Sequence, residues 1–82
     1  MIAKIINQIK ELDVSQNTLL EYLRCDYNEL SAEALNKLMT SLHDKDIDEK
    51  LININFNPGT ADSDKSIAEA KGWEVTALSL RR

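Results

Sequence analysis

Few side chains in this chain could do chemistry: Cys25, His43, the acidic run Asp44-Lys45-Asp46-Ile47-Asp48-Glu49, and the pair Asp62 and Asp64. A nucleophilic thiol needs a nearby base or a helix N-terminus to lower its pKa. Cys25 instead alternates with Leu23, at a position where a small apolar side chain packs well, and it reads as core. His43 is the sole histidine, so a histidine-based metal centre lacks a second ligand of its kind. It reads as a helix-end residue whose imidazolium meets the dipole. Asp44, Asp46 and Asp48 match the first three ligand positions of an EF-hand loop. The sixth position requires Gly and holds Glu49, and the twelfth requires Glu and holds Asn55, so that loop is excluded. A solvated connector is the reading set against a looser calcium site. Asp62 and Asp64 read as helix-capping groups. No glycine-rich phosphate loop, Ser/His/Asp set or pair of catalytic carboxylates can be assembled. The chain is not expected to be an enzyme, and no cofactor or metal is expected.

The elements that would position these residues are clearest around Leu20–Leu30. Leu20, Leu23, Cys25, Asn28 and Leu30 spell L-x-x-L-x-C-x-x-N-x-L. Leu23 and Cys25 would alternate onto one side of a short strand over Glu21–Asp26, with Tyr22, Arg24 and Asp26 on the other. The Asn28 amide can donate to and accept from the backbone groups that the following turn leaves unpaired. The pattern returns. Asn7 lies 21 residues earlier and Asn57 lies 29 residues later, and Ile9, Leu12, Val14, Asn17 and Leu19 follow the same spacing. Periods of roughly 20–29 residues are those of a repeat with one strand and an outer turn or helix per unit.

Ser31 is a good N-cap for a helix ending near His43, with Glu33 in its first turn and Leu35, Leu38, Met39 and Leu42 on one apolar stripe. Leu51–Phe56 reads as the next strand. Asn57-Pro58-Gly59-Thr60 reads as a turn, and Asp62 or Asp64 would cap a short helix through Lys71. Gly72 is the expected left-handed stop. Trp73–Leu78 closes the chain as a last strand, with Val75 placed 21 residues after Ile54 and Trp73 over the open end. Residues 1–12 admit two readings: Ile2, Ile5, Ile6 and Ile9 fit one helical face, or Ile2–Ile6 forms a first strand. The 21-residue return from Asn7 to Asn28 favours the strand.

The segment ELDVSQNTLLEYLRCDYNELSAEALNKL resembles bacterial leucine-rich repeats of the LDVS-x-NT and L-x-C-x-x-N type, and NPGTADSDKSIAEAKGWEV looks like the closing segment that often follows them. The resemblance covers Asn7 to Val75; Lys4 departs from it, standing where the type has Cys, Leu or Val. It implies an α/β fold: a short leucine-rich repeat solenoid of three to four parallel strands, with a helix or compact turn on the outer face. It also implies a single domain over residues 1–82, with 57–82 as its closing segment, in a secreted or cell-surface protein.

Composition bounds the rest. The 82 residues make one domain at most, and 43% apolar with 29% charged residues suits a small folded unit. A net charge of −4, with Arg81–Arg82 as the one basic cluster, argues against nucleic acid. No apolar run approaches the roughly 18 residues of a membrane span. No basic-then-apolar leader stands at the start, so a cytoplasmic location stays open. One cysteine excludes an internal disulfide. What is left is a non-catalytic protein-interaction module, with Glu21, Tyr22, Arg24, Asp26, Asn53 and Asn55 as its contact face and a protein as its partner. The alternative is a structural cap or self-associating unit, a homodimer that buries Ile2, Ile5 and Ile6 at the N-terminal end.

Overall fold

Leu23 and Ile52 sit at the centres of two short alternating segments, face each other across a parallel pairing and are fully buried. They define the inner face of a sheet. The computed structural model describes residues 2–4 and 9–78, with Lys4 described through its backbone alone. Four strands, β1 (Ile2–Lys4), β2 (Tyr22–Arg24), β3 (Leu51–Asn53) and β4 (Glu74–Thr76), lie side by side in chain order and all run parallel. Parallel neighbours need a crossover between them. The crossovers here contribute Val14, then Leu35, Leu38 and Met39 of helix α1 (Ala32–Ser41), then Ala68 of helix α2 (Ser66–Glu69). All of them join the core that Leu23, Cys25, Ile52 and Ile54 form beneath the sheet. The α/β class and the parallel sheet agree with the sequence reading.

The strands are three residues each, shorter than the runs Glu21–Asp26, Leu51–Phe56 and Trp73–Leu78. Hydrogen bonding nevertheless continues beyond them: Cys25 and Tyr27 N–H donate to the Asn53 and Asn55 carbonyls, and Ile54 and Phe56 N–H donate to those of Thr76 and Leu78. Residues 2–4 form a strand, so the helical alternative does not hold there. The readings of Ile5, Ile6, Asn7, Arg81 and Arg82 lie outside the described residues.

Helix α1 forms where local chemistry asks for it. Extended Ser31 accepts the Ala34 N–H on its Oγ at 3.1 Å, and Glu33 stands in the first turn. Leu35, Leu38, Met39 and Leu42 are all buried, each worth about 1.5–3 kcal/mol of transfer free energy. The helix stops at Ser41, short of His43, where Leu42 turns extended. Its last carbonyls are satisfied from a distant part of the chain. The Lys71 ammonium donates to the Thr40 carbonyl and, at 2.6 Å, to that of Leu42.

Helix α2 is a single turn rather than a helix through Lys71. Asp64 Oδ1 accepts the Ser66 N–H, while Trp73 N–H reaches back to the Ala68 carbonyl and Gly72 N–H to that of Glu69. That bond pair needs a left-handed residue, and Gly72 supplies it at φ 84°.

Two register expectations require correction. Val75 lies opposite Ile52, not Ile54, because the Glu74 N–H is captured by the Lys50 carbonyl at 2.8 Å directly after the Gly72 stop. Leu19 does not repeat the role of Leu30: it is 72% exposed, whereas Leu30 is fully buried. The turn closed by Leu20 N–H on the Asn17 carbonyl drives Leu20 into the core and leaves Leu19 outside. Trp73 is itself an interior residue, 2% exposed, with its indole N–H donating to the His43 carbonyl at 2.8 Å.

Candidate functional site

Two sets of residues stand at the ends and outer side of the strands. The first set is structural. Asn28 and Asn57, 29 residues apart, occupy the same place after β2 and β3. Each turns its Nδ2 back to the carbonyl three residues earlier, Cys25 for Asn28 and Ile54 for Asn57, at 3.0 and 3.1 Å. Asn57 also binds across to the neighbouring turn: its Oδ1 accepts from the N–H groups of Asn28 and Leu30, and its Nδ2 donates to the Cys25 carbonyl. Asn28 Oδ1 accepts the Ile9 N–H at 3.0 Å. The column ends at Thr60, whose Oγ accepts the Asn57 N–H and donates to the Ile54 carbonyl. Buried backbone groups are thereby paired through side chains where strand hydrogen bonding ends.

Entry to these turns depends on two residues that the sequence reading passed over. Tyr27 and Phe56 adopt left-handed conformations, φ 60° and 61°, which bulky side chains rarely take. Their rings pack against each other, tilted by 37° with centroids 4.9 Å apart, recovering part of a strain of order 1–3 kcal/mol. The signal was the doublet Tyr27-Asn28 repeated as Phe56-Asn57. Gly59 was read only as a turn glycine. A Cβ there would stand 1.9 Å from the Ala32 nitrogen, so the closing turn packs backbone to backbone on the start of α1.

The second set is the outer row of the sheet. In register, Tyr22, Leu51 and Glu74 form one line across it, and Arg24, Asn53 and Thr76 form the next. Tyr22, Leu51, Arg24 and Asn53 are half-buried, and Glu74 and Thr76 are exposed. Glu21, just before β2, is exposed. Asn55 is half-buried beyond β3, and its Oδ1 accepts the Leu78 N–H, as Asn53 Oδ1 accepts that of Asn55. Asp26 differs from the exposed position that strand alternation suggested: it is 7% exposed and pairs through Oδ2 with Arg24 Nη2 at 3.3 Å. Arg24 Nε and Asp26 Oδ1 are buried without hydrogen-bond partners. Five of the six candidate contact residues therefore retain surface, and Asp26 acts behind Arg24.

The chemically capable residues fall elsewhere. Cys25 is fully buried, its thiol donating to the Asn53 carbonyl at 3.4 Å. Desolvation, with the Asp26 charge beside it, pushes its pKa from 9.0 up to about 12. A thiol held neutral in this way is a core group. His43 lies past the helix, not at its last turn. Its Nε2 lies 2.6 Å from the Leu20 carbonyl and its Nδ1 accepts the Lys45 N–H. The ring also meets Trp73 edge-on at 5.3 Å. Lys50, next to the acidic connector, spends its ammonium on the carbonyls of Lys45 and Lys71. Among the described residues no three His, Cys, Asp or Glu side chains converge as metal ligands would.

A cleft of about 350 Å³ lies between Glu11–Asp13 and the Ala34–Lys37 side of α1. Both signs of charge line it, Glu11 and Asp13 facing Lys37, over two apolar side chains, Leu12 and Ala34. Among the described residues no helix is long and apolar enough to cross a membrane. No family model, curated protein or solved structure matches the chain.

Proposed function

We propose that the chain is a non-catalytic protein-interaction module of the leucine-rich repeat kind, with the outer row of its parallel sheet as the contact surface. The observation that carries this reading is the contrast between the two sides of β2. Leu23 and Cys25 are fully buried, while Tyr22 and Arg24 retain surface beside Asn53, a combination of residue types common at interface hot spots. The geometry shared by Asn28 and Asn57 supports reading the segments as related units of a short solenoid. The proposed partner is another protein, and a secreted or surface setting rests on the sequence resemblance alone.

The test replaces Tyr22 and Arg24 together by Ala. Partner proteins captured by the native chain should be lost by the double variant, while a control variant at exposed Lys37 and Glu33 keeps them. Retention of the same partners by Tyr22→Ala/Arg24→Ala would overturn the assignment.

A second reading draws on Ile2, which is 70% exposed on the edge strand β1. An apolar residue on an open strand edge favours pairing with another chain, here a second copy that covers the N-terminal end. Light scattering over a concentration series separates the two readings. A dimer that Ile2→Lys converts to monomer supports self-association, and a monomer at all concentrations removes it.

A further inference from the structure

We draw no further inference here: the strongest candidate, the acidic connector from Asp44 to Glu49 between α1 and β3, is a cluster of carboxylates with no second feature beside it that points to a ligand.

Discussion

The turns that follow β2 and β3 and the outer row of the same strands are built on opposite terms. In the turns, Asn28, Asn57 and Thr60 pair backbone groups that the strands abandon, and all three side chains are buried or nearly so. On the outer row, Tyr22 and Arg24 are half-buried, and the Arg24–Asp26 pair leaves one donor and one acceptor without partners. The turns hold the fold in place, whereas the row tolerates an imperfectly satisfied ion pair. Such tolerance suits a surface whose side chains are selected for something other than stability.

That difference can be broken most severely at Gly59. Gly59→Ala sets a methyl against the Ala32 nitrogen and the Ser31 carbonyl carbon, both of them backbone. Neither can yield without moving the start of α1, so a loss of about 3 kcal/mol or more is expected. Chemical denaturation would measure it; an unchanged midpoint would show that the close approach is not what holds the turn.

Asn57→Ala comes next. It removes the side-chain acceptor of the Asn28 and Leu30 N–H groups, while the Cys25 and Ile54 carbonyls each keep a second donor, Asn28 Nδ2 and Thr60 Oγ. Each unsatisfied group costs about 1–3 kcal/mol before relaxation or water entry, so a net loss of about 3 kcal/mol is expected. For a domain of this size that lowers Tm by roughly 12–24 °C. Hydrogen exchange should show the Asn28 and Leu30 amides losing protection before that of Leu23.

Cys25 sharpens the contrast through pH. Its folded pKa is raised from 9.0 to about 12, so the neutral thiol is favoured in the folded state. Its contribution is therefore fully present below pH 9 and is lost as pH rises towards 12. Cys25→Ala should lack this part of the alkaline decline in stability, as followed by thermal melts from pH 7 to about 11. Identical alkaline slopes for both proteins would place the thiol outside the low-dielectric core.

How much of this was legible in the sequence follows from how local each cause is. Helix α1 could be read because Ser31 and the Leu35, Leu38, Met39 and Leu42 stripe are contiguous signals of cap and face. The inward role of Asn28 and Asn57 was legible from spacing. Thr60 was not, because its part depends on meeting Asn57 and Ile54 across a turn. Tyr27 and Phe56 stayed hidden because bulky residues are poor candidates for positive φ, and the two rings in contact come from distant positions. On the outer row, alternation placed Tyr22 and Arg24 correctly but missed the burial of Asp26, which follows from the Arg24 side chain lying against it. The positions of Val75 and Leu19 failed for a similar reason, since a backbone hydrogen bond and a tight turn override periodicity.

The smallest stability effect belongs to the outer row and carries the central claim. Tyr22→Ala/Arg24→Ala removes a partly exposed ion pair and a half-buried ring. Asp26 is nearly buried and loses its partner when Arg24 is replaced, at a cost of about 1–3 kcal/mol before water enters the space the guanidinium leaves, so the double variant should stay folded, with a loss below that of Asn57→Ala. The most direct measurement is quantitative capture of partner proteins by the native chain and by this variant, with both melts recorded alongside. Loss of the partners from a variant that still melts cooperatively is the predicted result. Undiminished capture by the folded variant would contradict the assignment of the outer row as the contact surface.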